Sequence, residues 1–180
     1  MKKWNVIEMK KTNLLFLGIT LGMALLLAIL FVPVFSAVTI TQGETGERLF
    51  VAPVESGDTF IIRYIHSIHL TPVEEMYRID EEGKMILDET RFQSYGVGIP
   101  YELEEGQTFS FEGDWMVISN INRVVPYFDQ RVGQVIANHT LIMKDKKIPL
   151  SNISKPGSWV RFQIEKVSLF SIWRERGLPE

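Results

Sequence analysis

Two of the three histidines in this 180-residue chain lie three residues apart, in Tyr64-Ile-His-Ser-Ile-His-Leu-Thr-Pro-Val73, directly ahead of Glu74 and Glu75. With His139 from a distant segment, His66, His69 and Glu75 would supply nitrogen and oxygen donors suited to zinc or a related ion. Residues three apart on a strand point to opposite faces. Both histidines could therefore reach one ion only if the chain bends between Ser67 and Leu70, a bend that Thr71-Pro72 favours. The plainer expectation is a hydrogen-bonded core residue at His66 and a loop residue at His69, which leaves the metal site a weak candidate and no cofactor expected. Ser67, between the histidines, invites a nucleophile, but a serine hydrolase needs a base within reach and an acid to orient it. No Gly-x-Ser-x-Gly elbow is present, and a sequence neighbour on a strand cannot act as that base. A hydrolase is thus the last of the readings, and no catalytic residue is assigned.

A second unusual segment is Ser94-Tyr95-Gly96-Val97-Gly98-Ile99-Pro100. Glycines two apart suit a backbone that visits positive φ and turns N–H groups toward an anion. The segment lacks the lysine and the helix of a P-loop, so nucleotide binding is not expected; the plain reading is a tight connection leaving a strand. The acid pairs Glu74-Glu75 and Glu104-Glu105 would each split across the two faces of a strand. A polar pocket would draw on Tyr64, His66, Glu75, Ser94 and His139, with Ser67, Gly96 and Gly98 beside them.

These residues must be positioned by strands. Asp58 to His66 is dense in aromatic and β-branched residues. In it Phe60, Ile62, Tyr64 and His66 share one face, and Ile61, Arg63 and Ile65 the other, which predicts a central strand covered on both sides. From Val73 to Asp80, Glu75 points the same way as the apolar stripe Val73, Tyr77 and Ile79. Further strands are predicted over Lys84 to Gln93, over Gln107 to Phe111 and Trp115 to Asn120 as a hairpin about Glu112-Gly113-Asp114, and as one long run from Arg131 to Met143. Lys144 to Lys147 would be the solvated turn after that run, and Ser158 to Ser168 alternates cleanly. The expectation is an all-β fold, a single antiparallel β-sandwich or barrel, with the choice between them left open.

Ahead of that domain lies a gap in the charges. Between Lys11 and Glu44 there is no Asp, Glu, Lys or Arg, and Leu14 to Val34 carries Thr20 as its one hydroxyl residue. About 20 apolar residues span a hydrocarbon core of roughly 30 Å, and a lone segment can do so only as a helix. The reading divides the chain into a cytoplasmic amino terminus (1–12), a transmembrane anchor (13–36) and an extracytoplasmic β domain (38–180). Lys2, Lys3, Lys10 and Lys11 precede the span, which keeps the amino terminus inside and sends the domain out. The rival is a cleaved signal peptide with its cut after Ser36, although the apolar run exceeds a usual h-region. There is no cysteine, which excludes lipoprotein acylation, disulfides and thiolate metal sites. The formal charge of −3 becomes −6 once the first eleven residues are set aside, so neither nucleic acid nor anionic lipid is expected as a partner of the domain.

Tyr64-x-His66-Ser67, Thr71-Pro72-Val73, Glu75, Ser94-Tyr95-Gly96-x-Gly98-x-Pro100, Arg131-Val132-Gly133 and His139 together resemble a bacterial family, domain of unknown function 1850. Its members are small membrane-anchored proteins encoded beside TAXI-type TRAP transporters. The likeness runs over most of Phe50 to Leu150 and adds Arg131 to the polar candidates. The resemblance implies an accessory to such an uptake system, with the TRAP permease or its solute receptor as partner, and transfers no residue roles. The alternative is an extracytoplasmic module that binds a small ligand or a metal through the His66, Glu75 and His139 region.

Overall fold

The structure is a computed structural model and describes residues 6–94, 102–134 and 136–175. Helix α1 (Val6–Phe31) carries the charge-free stretch, and its part from Thr12 to Phe31 is long and apolar enough to cross a membrane, with none of it buried against the rest of the chain. The helix stops just before Pro33, and β1 (Phe35–Gln42) begins almost at once. Nine of the remaining ten strands follow as β2 (Arg48–Pro53), β3 (Thr59–Ile65), β4 (Pro72–Ile79), β5 (Met85–Phe92), β6 (Thr108–Glu112), β7 (Trp115–Val124), β8 (Tyr127–Arg131), β9 (Thr140–Met143) and β10 (Lys146–Pro149). The last, β11 (Trp159–Val167), leads into the short helix α2 (Leu169–Arg174).

The strands form two antiparallel sheets, β2-β1-β11-β8 and β10-β9-β3-β4-β5-β7-β6, facing each other as a sandwich and not closed into a barrel. Alternation in sequence becomes alternation of faces. Val160 and Phe162 of β11 and Val38 and Ile40 of β1 are buried from one side, and Phe60 and Ile62 of β3 with Leu141 and Met143 of β9 from the other. A column of stacked rings crosses the interior. Phe162 lies 4.7 Å from Phe128, Phe128 lies 4.9 Å from Tyr77, and Tyr77 lies 5.0 Å from Phe60, all close to parallel. The step from Phe128 to Tyr77 joins the sheets.

Three expectations about the strands and their turns need correction. β3 is central, but its second face is not covered: Ile61, Arg63 and Ile65 are only half-buried, because that side of the large sheet carries ion pairs such as Arg63–Glu74 at 3.5 Å and Arg91–Glu112 at 3.4 Å. Nor is Arg131 to Met143 one strand. Arg131 ends β8 in the small sheet, and Thr140 opens β9 in the large one. Between them the chain doubles back, with Asn138 at φ 37° and the amide of Asn138 so close to Gly133 that a Cβ there would meet it at 2.9 Å. A run of strand-forming residues carries no mark of which sheet it joins. The turn that follows is shorter than Lys144 to Lys147. Lys144 and Asp145, both at positive φ, make a two-residue hairpin loop, and Lys146 already pairs with Met143.

Candidate functional site

The large sheet has seven strands against four in the small one, so part of it extends past the small sheet's edge strand β8. The ring column marks that limit, since Phe128 of β8 sits over Tyr77 of β4. Past it a second apolar cluster forms around Val73, Phe92 and Ile118. Between the two clusters lies a cleft of about 150 Å³.

Its floor is polar where the strand pattern would place an aliphatic residue. Val73, Glu75, Tyr77 and Ile79 share the inner face of β4, as the sequence predicts, and Glu75 therefore enters the interior beside Ile62 and Thr90, its partners on either side. Tyr77 donates its hydroxyl hydrogen to Glu75 Oε2 at 2.8 Å. Burial raises the Glu75 carboxyl above the ordinary glutamate value, and the Tyr77 hydrogen bond opposes that rise. Tyr64, on the neighbouring strand, is pushed up to about 12 by burial and then by the nearby Glu75 charge. Burial and the Glu75 carboxylate also raise Tyr77. Burial thus favours the neutral form of each of the three groups.

The walls depend on an irregularity in β7. Opposite the single residue Asp88, β7 carries Asn120, Ile121 and Asn122, with both asparagines at positive φ (60° and 47°), a conformation asparagine tolerates better than most residues. The bulge re-aims Ile121 and Arg123 into the cleft wall. Arg123 then reaches Glu104 at 3.1 Å, and Gln107 bonds the same carboxylate at 3.2 Å, so the segment leading into β6 forms a charged rim. Sequence reasoning did not name Arg123, and it singled out Glu104 only as half of an acid pair on a strand, whereas the structure places Glu104 in the connection ahead of β6. Asn120-Ile121-Asn122 is the signal that could have marked the bulge.

The other candidates are dispersed. His139 stands behind Tyr64, rings 5.3 Å apart, with its Nε2 2.8 Å from the Gln130 amide nitrogen. An amide nitrogen only donates, so His139 accepts at Nε2 and carries its proton at Nδ1, a buried atom with no partner among the described residues. Burial lowers its pKa, in keeping with a neutral ring. His66 organises the β3–β4 connection: its Nδ1 accepts from the amides of Ile68 and His69 at 3.3 Å, its own amide bonds Thr71 O, and Leu70 follows at φ 55°. Ser67 and His69 are exposed on that loop, the His69 ring 5.0 Å from His66. Arg131 caps the Gly157 carbonyl at 3.2 Å, and Ser94 lies just beyond β5. Gly96 and Gly98 lie outside the described residues. Among the described residues no three His, Asp or Glu side chains gather as a metal would require, so the structure does not bring His66, His69, Glu75 and His139 together.

Neither a curated protein nor a solved structure matches the chain. The family described as a domain of unknown function, DUF1850, matches residues 60–150, from β3 through β10, and so includes Tyr64, Glu75, Tyr77, Arg123 and His139. With half of its length matched across the strands that build the cleft, the chain belongs to the DUF1850 family.

Proposed function

We propose that this protein is a membrane-anchored accessory module, amino terminus cytoplasmic and β domain extracytoplasmic, that docks on a TAXI-type TRAP permease or its solute receptor. The observation that carries the reading is the connection between helix and domain. Only residues 32–34 separate α1 from β1, and a few residues of extended chain reach no more than about 15 Å. The domain is therefore held at the height of a membrane-embedded partner, where tethering raises effective concentration and makes a weak contact productive. The basic residues before the span support the orientation, and the motif resemblance supports the transporter. In detergent, the full chain is expected to co-purify with a TRAP permease encoded beside it, and its deletion to slow uptake. Failure to co-purify together with unchanged uptake would sink the proposal.

A second reading takes the cleft as a small-ligand site, favoured by one observation, a buried carboxylate with a tyrosine hydroxyl at the bottom of a cavity. A cavity of about 150 Å³ would hold only a handful of heavy atoms. Native mass spectrometry of the full chain in detergent would then show a retained mass that Glu75→Gln removes. An unliganded mass for both proteins counts against this reading.

A further inference from the structure

We infer that α2 is a second membrane contact, seating the domain on the lipid headgroup region through Phe170 and Trp173. The inference rests on the anchor reading above and adds to it how the domain lies on the bilayer.

The two sides of α2 differ. Ile172 is buried with Ala37, Val51 and Val167 against the small sheet, and Glu175, just past the helix, bonds Arg48 at 3.2 Å, which fixes the helix on the sheet. Phe170 and Trp173, three apart and so on one stripe, turn the other way with their rings 6.1 Å apart. Trp173 is 75% exposed, a costly place for the largest apolar side chain unless something covers it.

The position of the stripe says what that is. Phe170 lies 5.1 Å from Phe31, the last residue of the candidate span, so the stripe continues the apolar surface of α1 at the level where hydrocarbon gives way to headgroups. Val34, in the connection beside it, and Phe35, which opens β1, are exposed as well. Side chains on a helix lean toward its amino terminus, and the start of α2 is the end nearest Phe31, so Trp173 leans toward the membrane. Tryptophan and phenylalanine are the residues that settle in this interface. Arg174 stacks over Phe170 at 5.6 Å while its guanidinium pairs with Glu175, so the charge at this end of α2 is already neutralised within the domain. Attraction to anionic lipid is not the drive, because the same end of the sandwich carries the acidic turn Asp80-Glu81-Glu82. The contact is apolar and aromatic, and zwitterionic lipid suffices.

The chain has no cysteine, so single nitroxide labels test this without altering native thiols. The full chain is reconstituted in phosphatidylcholine nanodiscs with no other protein present, labelled at Arg174→Cys, at Ala24→Cys within the span, or at Thr45→Cys at the opposite end of the sandwich. Collisions with oxygen and with an aqueous nickel chelate are then compared. The label at 174 is expected to be several-fold less exposed to nickel than the label at 45, and Phe170→Ser with Trp173→Ser should return it to the value at 45 while leaving the mobility at 45 unchanged. A label at 174 as exposed as that at 45, with the label at 24 in lipid, overturns the seat and leaves the anchor standing. Aqueous labels at both 174 and 24 overturn both.

Discussion

Phe162→Ala is expected to cost about 3–5 kcal/mol of stability, the range for removing a buried aromatic ring. Phe162 is fully buried at the middle of β11 and ends the ring column that runs through Phe128 and Tyr77 to Phe60. Truncation removes both its apolar transfer energy and a stacked contact, and its rigid neighbours on two sheets cannot collapse to fill the space. Phe162→Leu should lose clearly less, since most of the volume remains. Denaturant titration of the full chain in detergent, followed by circular dichroism, reads both variants as a lowered midpoint at unchanged slope. If Phe162→Ala falls within about 0.5 kcal/mol of wild type, as surface substitutions do, the column is not what holds the sheets together.

Tyr77→Phe is expected to be the next largest change, and its size should depend on pH. The ring and its stacking stay in place, and only the hydrogen bond to Glu75 is lost. Leaving a buried ionised carboxylate short of its donor costs about 1–3 kcal/mol. The folded state holds the Glu75 proton more tightly than the unfolded chain does, because burial raises its pKa. Between the unfolded and folded values the native state therefore binds more protons, and the Glu75 contribution to stability falls as pH rises through that window. Tyr77→Phe removes the interaction that lowers the folded value, so the decline should extend to higher pH. Glu75→Gln should abolish it. His139 acts in the opposite sense, since its lowered pKa makes the fold lose stability as pH falls below the ordinary histidine value. The difference between wild type and Glu75→Gln, measured from about pH 4 through neutrality, isolates the Glu75 part. A difference that does not decline with pH would mean that Glu75 is not held in a dry site.

Much of this architecture was legible because a strand's period of two leaves little freedom. Once Val73, Tyr77 and Ile79 must face the core, Glu75 must enter it too. The same alternation in Trp159 to Val167, and the turn residues between Glu112 and Trp115, located strands that the structure contains. The metal reading was harder to judge by spacing. His66 and His69 are close in sequence, yet His66 spends its Nδ1 on the amides of its own loop, and His139 lies behind Tyr64 with Gln130. Strand order decides such neighbours, and strand order is set by non-local pairing that no short motif encodes.

By itself, then, the sequence determined an apolar helix, a set of alternating strands and an acid on an inward face, because each follows from local periodicity and the cost of exposing or burying a side chain. Only the tertiary structure decided that the two sheets differ in width, that the bulge at Asn120 and Asn122 aims Arg123 at Glu104, and that Phe170 meets Phe31. Each of these depends on segments distant in the chain, brought together by the burial of the shared core.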